Sequence, residues 1–130
     1  MLVLVDTSVW IEYFQRRDEL IEKQLDGLLR SGEVATAGLI LAELRRGCRT
    51  HNQVRLMMDA MEPLFYLESD RTSWLKAGEI AAEASARGFK LEVGDCLLAA
   101  VALREGVSLF TLDRDFSRIP GLKLYPFRSN

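Results

Sequence analysis

The sequence has few of the residues on which several common kinds of active site depend. Its 130 residues include only two cysteines and one histidine. Cys48 and Cys96 form no CxxC pair and have no histidine nearby, which argues against a zinc site. His51 stands alone in an arginine-rich segment, and there is neither a Ser-His-Asp pattern nor a glycine-rich phosphate loop. Both cysteines lie in apolar helical contexts typical of buried free thiols in a reducing cytosol, although a single disulfide stays open.

Long hydrophobic runs and a strong excess of one charge are also absent. The longest apolar stretch, residues 96–103, is far too short to span a bilayer. The opening run MLVLVD lacks a basic segment and ends at Asp6, unlike a signal peptide. The net charge of −2 excludes binding of nucleic acid by bulk positive charge, so any such site must be a local patch. We therefore expect a cytoplasmic protein that does not enter membranes.

The residues that are present describe one ordinary globular domain spanning 1–130. The composition is 48% apolar and 28% charged, which supplies a hydrophobic core. Apolar runs typical of buried strands alternate with segments of helical periodicity, and this alternation predicts an α/β fold with a mainly parallel sheet covered on both faces. Strands are predicted at 2–5, 33–36, 64–67, 107–112 and 123–125. Helices are predicted at 9–14, 18–30, 39–48, 53–61 (capped by Asn52), 72–87 and 95–104.

Three acidic residues follow predicted strands directly. Asp6 comes after the first strand, and Asp113 and Asp115 come after the strand at 107–112. Sites in parallel α/β sheets form outside the carboxyl ends of the strands, where these residues are expected. Asp113 and Asp115 are two residues apart, so in an extended segment they point to the same side.

Two further acids lie on predicted helices. Asp95 opens a nearly uniform apolar helix and has no lysine or arginine three or four residues later, so its carboxylate needs a cap, a partner or a metal. Glu43 lies at the flank of an apolar stripe, and its only local cationic partner is Arg46. Carboxylates in one pocket repel each other, and a divalent cation removes that repulsion. Oxygen ligands without histidine or cysteine favour Mg²⁺, with Mn²⁺ as a substitute. Such a site can activate a water molecule for hydrolysis of a phosphodiester.

Each candidate residue also has a plainer interpretation. Asp6 and Asp95 suit helix caps, Glu43 suits a surface pair with Arg46, and acids after strands often form turns. Three hydroxyl residues are either hydrogen-bond donors that support the acids or turn residues: Thr7, Ser8 and Thr111. Three arginines are either phosphate contacts for RNA or solvated surface charges: Arg45, Arg46 and Arg49.

Three segments in the right order resemble the PIN-domain ribonucleases, and specifically the VapC toxins of toxin–antitoxin pairs. They are VLVDTSVWIEYF at 3–14, ILAELRRG at 40–47 and GDCLLAAVALREGVSLFTLDRDF at 94–116. The resemblance implies a three-layer α/β/α fold, a homodimer, and a VapB-like antitoxin that covers the site in a hetero-oligomer. It implies that Asp6, Glu43, Asp95 and Asp113 are the metal-binding and catalytic acids, with Asp115 as a further ligand. It also implies that Thr111 supports the site by hydrogen bonding.

Other functions stay open beside a toxin that cleaves RNA. A PIN-type nuclease for housekeeping RNA processing and a non-catalytic PIN binding module share the same fold. A dehalogenase-like phosphotransferase expects DxD after the first strand, whereas this chain has Asp6-Thr7-Ser8. A receiver-like domain expects a phospho-accepting aspartate after a middle strand, and the segment Glu68-Ser69-Asp70 matches that pattern weakly.

Overall fold

The computed structural model of the chain describes residues 1–127, and in that range four short strands form one sheet. They are β1 (Val3–Val5), β2 (Val34–Ala37), β3 (Phe65–Leu67) and β4 (Ser108–Phe110). The strand order is β3-β2-β1-β4, and every neighbouring pair is parallel. All residues of β1 and β2 are buried. Because successive side chains point to opposite faces, both faces of the sheet are covered at these two central strands, as predicted, whereas Phe65 and Tyr66 of the edge strand β3 are exposed.

Six helices within residues 1–127 surround this sheet and confirm the predicted α/β/α architecture. They are α1 (Thr7–Gln15), α2 (Glu19–Arg30), α3 (Gly38–Gly47), α4 (His51–Met61), α5 (Arg71–Ala86) and α6 (Val93–Glu105). The central part of α6, from Cys96 to Ala102, is wholly buried. This explains its uniformly apolar sequence. Along the part of the chain that the structure describes, no helix is long and apolar enough to cross a membrane.

The start of α4 differs from the prediction. Thr50, not Asn52, is the N-cap, and the helix begins at His51. The Thr50 hydroxyl accepts from the Gln53 backbone amide at 3.1 Å, and the Gln53 side chain accepts from the Thr50 amide at 3.3 Å. This reciprocal pair satisfies two amides at once, which a cap by Asn52 would not do.

The predicted last strand at 123–125 is present only as an isolated bridge. Leu124 pairs in parallel with Leu109, and two backbone hydrogen bonds of 2.9 and 2.8 Å join Leu109 to Lys123 and Tyr125. The segment covers the free edge of β4 without extending into a ladder. Cys48 and Cys96 are both free thiols, half-buried and buried respectively.

Candidate metal centre

Asp6 is held at the carboxyl end of β1 by two hydroxyl groups. It occupies the N-cap position of α1 but makes no capping hydrogen bond with its side chain. Its Oδ2 instead accepts from Ser8 Oγ at 2.9 Å and from Thr111 Oγ1 at 2.8 Å, and the residue is only 6% exposed. The two hydroxyls in turn accept from the amides of Leu112 and Asp113. The carboxylate is therefore fixed between β1 and β4, which rules out the simple helix-cap interpretation.

Glu43 reaches the same edge of the sheet because α3 begins directly after β2. Its half-buried side chain accepts a hydrogen bond from Thr7 Oγ1 at Oε1, with a distance of 2.8 Å. Across residues 1–127 it makes no ion pair with Arg46. The interpretation of Glu43 as one half of a local surface pair is wrong, since its partner is a hydroxyl on another helix.

Asp95 lies in the first turn of α6, three residues after the N-cap position of Glu92. The preceding residue, Gly94, permits a close approach to α3, because a Cβ at this position would lie 3.1 Å from Leu39 Cδ2. Leu39 lies four residues before Glu43, on the same side of α3. Its contact with Gly94 therefore brings α3, which carries Glu43, close to α6, which carries Asp95. No hydrogen bond or ion pair to the Asp95 side chain is found among residues 1–127.

The electrostatics of Asp95 show that the acids share one pocket. Burial and then the neighbouring carboxylates of Asp6, Asp113, Glu43 and Glu92 raise the pKa of Asp95 to about 6. The structure thus gathers four of the five acids that the sequence singled out, namely Asp6, Glu43, Asp95 and Asp113. Glu92 was not predicted, although its position three residues before Asp95 puts it on the same helical face.

Asp115 lies differently from expectation. A 3₁₀ turn begins at Arg114, and Asp113 Oδ1 accepts from the Asp115 backbone amide at 2.9 Å. The two side chains therefore do not share one side of an extended segment, and that expectation is wrong. Both residues are exposed. Asp113 combines the predicted turn role with proximity to Asp95, whereas Asp115 is not among the four carboxylates that raise the pKa of Asp95.

The acids share a pocket but are not packed into a closed cage. Among the described residues, no three acidic, histidine or cysteine side chains already lie close enough together to enclose an ion. Mg²⁺ usually keeps several water molecules and takes only one or two carboxylates directly, so it does not require a closed cage of side chains. The donor set, which is entirely oxygen, also suits Mg²⁺ or Mn²⁺.

The candidate RNA-binding arginines lie beyond Glu43 on α3. Arg45 and Arg46 are in the last turn of the helix, Arg49 follows it, and all three are exposed. None of them forms an ion pair within residues 1–127, whereas Arg16 and Arg17 pair with glutamates. The three side chains are thus available for an external anion.

Two clefts flank the acidic pocket. A cleft of about 250 Å³ lies between α1, α3 and α4, where Glu43 meets apolar side chains that include Ile11, Phe14 and Leu56. A second cleft, of about 980 Å³, is lined by Asp113, Arg114 and residues near the carboxyl end of the described chain. Two acids of the pocket therefore each face a surface large enough for a bound partner or substrate.

The chain has an α/β/α fold with a parallel sheet, and acids lie at the carboxyl ends of its strands. These features define the class of protein to which it is assigned. The family model described as the PIN domain matches residues 3–122, and the chain belongs to the PIN-domain family. It is similar to Ribonuclease VapC11 of Mycobacterium tuberculosis, with 28% identity over 136 residues that cover 98% of this chain and 100% of the relative.

Solved structures share the same fold. The chain is similar to one in VapBC2 from Rickettsia felis bound to a promoter DNA fragment, with a TM-score of 0.82 and 22% identity over 98% of this chain and 100% of that one. It is also similar to one in DNA-bound VapBC from Salmonella typhimurium, with a TM-score of 0.82 and 24% identity over 96% and 98% of the two chains. Family membership sets aside the dehalogenase-like and receiver-like alternatives.

Proposed function

We propose that this protein is an Mg²⁺-dependent endoribonuclease and the toxin of a type II toxin–antitoxin pair, acting in the cytoplasm. The observation that carries the proposal is the crowding of Asp6, Glu43 and Asp113 around Asp95. Burial and then the charges of these neighbours raise the pKa of Asp95, and no cationic side chain among residues 1–127 pairs with its carboxylate. Such unrelieved repulsion at an exposed edge is typical of a site that binds a cation.

The chain's own residues would divide the work of holding that cation and the substrate. A bound Mg²⁺ or Mn²⁺ supplies positive charge that lowers the pKa of water and stabilises charge on a phosphate. Asp6, Glu43, Asp95 and Asp113 would hold the ion, directly or through water. Ser8 and Thr111 would keep Asp6 in place by the hydrogen bonds already described. Asp115 is proposed as a further ligand, and it lies in the exposed 3₁₀ turn that follows Asp113.

RNA is the proposed substrate because similar proteins of nearly the same length are named ribonucleases. The chain covers 100% of VapC11, so the similarity extends over the whole relative and not only one motif. Arg45, Arg46 and Arg49 provide the local positive charge that a protein with a net charge of −2 needs to contact phosphates.

An antitoxin is the proposed protein partner, because chains of similar fold occur in VapBC complexes. The cleft between α1, α3 and α4 is lined by exposed apolar side chains. Ile11 is 43% exposed, Phe14 is 37% exposed and Leu56 is 55% exposed. The cleft ends at Glu43. A partner segment with an apolar stripe and a basic end would therefore bury the stripe while placing its positive charge at the acids. A homodimer of the toxin stays a prediction from the resemblance.

Cleavage of RNA by the purified protein tests the proposal. Wild-type protein should cut structured RNA in Mg²⁺ or Mn²⁺ and stop in EDTA, and Asp6→Asn should be inactive with its fold intact. Glu79→Gln is the matched control, because Glu79 is an exposed acid on α5 that pairs with Lys76. Full cleavage in EDTA by a nuclease-free preparation would refute metal dependence. A protein that binds Mn²⁺ but cuts no RNA would favour a non-catalytic binding module.

A further inference from the structure

Thr7 makes a contact that its place in the sequence does not explain. It is the first residue of α1, and its hydroxyl donates to Glu43 Oε1 on α3 at 2.8 Å, across 36 residues of sequence. A threonine in the first helical turn has no carbonyl four residues earlier within its own helix to bond with. The hydroxyl instead forms a partly buried hydrogen bond between two helices.

Glu43 needs such a contact to stay at the acidic pocket. A glutamate side chain has several rotatable bonds, and a half-buried one loses considerable conformational freedom when its carboxylate is held in one place. Within residues 1–127, Thr7 is the donor that the structure provides for this carboxylate, and no arginine or lysine pairs with it. The hydrogen bond therefore decides where the Glu43 carboxylate lies.

A hydroxyl is suited to orienting a carboxylate that must also bind a cation. It is neutral, so the full negative charge of Glu43 remains, whereas an arginine would compete with the cation for it. The bond uses one acceptor site on Oε1. The remaining acceptor sites of the carboxylate, including those of Oε2, can take a metal ion or its water.

The same short segment also fixes the first acid. Asp6 directly precedes Thr7 and accepts a hydrogen bond from Ser8. Residues 6–8 therefore include one acid of the pocket, the donor that fixes it and the donor that orients Glu43. This arrangement sets the relation between the carboxyl end of β1 and α3. A change at Thr7 should consequently act on the metal site through Glu43 and leave the Asp6 contacts in place.

We propose that Thr7 is a positioning residue of the metal site, whose hydroxyl arranges Glu43 for cation binding before the ion arrives. The role rests on the metal site proposed above. Thr7 need not touch the ion or the RNA. Residues that orient metal ligands through hydrogen bonds typically change metal affinity by about 10- to 100-fold when they are replaced.

Direct Mn²⁺ binding without RNA tests this role. The free Mn²⁺ signal in electron paramagnetic resonance gives the affinity of wild type, Thr7→Val, Thr7→Ser and Glu43→Gln. Valine keeps the shape of threonine and removes the hydroxyl, whereas serine keeps the hydroxyl. Thr7→Val should weaken Mn²⁺ binding by about tenfold, and Thr7→Ser should bind within about twofold of wild type. Thermal melting of each variant shows that the fold is intact.

The double variant separates positioning from a general structural effect. In a Glu43→Gln background, Thr7→Val should cause little further loss, because the two residues act together. An equal loss in both backgrounds, or an unchanged affinity in Thr7→Val, would overturn the role. If wild-type protein bound no Mn²⁺, the proposed function and this role would both fall. If wild-type protein bound Mn²⁺ and Thr7→Val bound it equally well, the proposed function would stand and the positioning role of Thr7 would fall.

Discussion

Thr111 donates a hydrogen bond to Asp6 Oδ2 at 2.8 Å, although 105 residues separate them in the sequence. The bond joins the ends of β4 and β1, which pair in parallel so that Val5 lies beside Phe110. Because the Thr111 oxygen also accepts from the Asp113 amide, one hydroxyl links an acid on each strand end. The position of the acidic pocket thus follows from the pairing of two strands.

Removal of this hydroxyl should harm both stability and activity. Thr111→Val leaves the buried Asp6 carboxylate with one donor fewer and leaves the Asp113 amide without its acceptor. We expect the free energy of unfolding to fall by about 1–3 kcal/mol, and RNA cleavage to fall at least about tenfold. Chemical denaturation and single-turnover cleavage measure the two effects. Thr72→Val, at an exposed position on α5, is the control and should change neither. Wild-type cleavage by Thr111→Val would show that the bond has no part in the site.

The raised pKa of Asp95 predicts how stability depends on pH without metal. The folded protein holds this proton up to a pH of about 6, whereas an unfolded chain releases it near the ordinary value of 3.8. The folded state therefore binds more protons between these values, and the free energy of unfolding should decrease as the pH rises through them. Above a pH of about 6 this contribution is constant.

Asp95→Asn lacks the carboxylate and should lose this part of the pH dependence. In metal-free buffer above a pH of about 6, we expect the variant to be more stable than wild type by about 1–2 kcal/mol, after allowance for solvent screening. Urea denaturation at several pH values measures the difference, and Glu79→Gln is the control acid on α5. Parallel curves for wild type and Asp95→Asn would contradict the shared pocket.

The arginines after Glu43 should contribute to RNA affinity through phosphate contacts. Replacing Arg46 and Arg49 with alanine should weaken RNA binding and reduce its dependence on salt, by roughly 0.7 in the logarithmic slope for each lost contact to a single strand. Fluorescence anisotropy at several salt concentrations measures the slope, in Ca²⁺ or with Asp6→Asn so that the RNA stays intact. Arg30→Ala, an exposed change on α2, is the control. An unchanged slope would mark both arginines as solvated surface charges.

Toxicity and its relief test the biological role. Induction of the protein alone in its host should arrest growth, because an uncovered nuclease damages cellular RNA. Asp6→Asn should relieve the arrest, and so should co-expression of a partner encoded immediately upstream. Growth curves measure these outcomes, with soluble protein quantified in each culture. Accumulation of wild-type protein without arrest would favour a housekeeping RNA-processing role.

The surface of the proposed partner site can be tested in the same cultures. Leu56→Asp places a charge in the cleft between α1, α3 and α4 and should abolish relief by the partner while toxicity remains. Leu75→Asp is the matched control, because Leu75 is 70% exposed on α5, outside this cleft. Equal relief of both variants would move the partner to another surface.

The sequence predicted the fold and the position of the acids well, because both depend on local patterns. Buried strand runs marked β1 and β4, and an acid at the carboxyl end of a parallel strand has only one edge to occupy. Contacts that depend on a single side-chain orientation were less predictable. Thr7 was named as a possible donor to the acids, but nothing in the spacing of the distant residues Thr7 and Glu43 indicates that they are partners.

Two of the errors arose in short segments for which the sequence allowed two local conformations. Asp113 and Asp115 were expected on one side of an extended segment, but the chain turns into a 3₁₀ helix after Asp113. Asn52 was expected to cap α4, but Thr50 gains a second hydrogen bond from its partner three residues later. In both segments, a side chain bonded to a nearby amide and thereby fixed the turn or the helix start.

Measurement of Mn²⁺ occupancy and RNA cleavage on the same samples is the most direct test that the acidic pocket is a metal-dependent nuclease site. As Mn²⁺ is titrated into wild-type protein, the cleavage rate should rise in proportion to the occupied fraction. Asp95→Asn should shift both curves to higher Mn²⁺ concentration, while Glu79→Gln leaves them unchanged. Cleavage that is complete before Mn²⁺ binds, or an Asp95→Asn protein with wild-type occupancy and rate, would contradict the account.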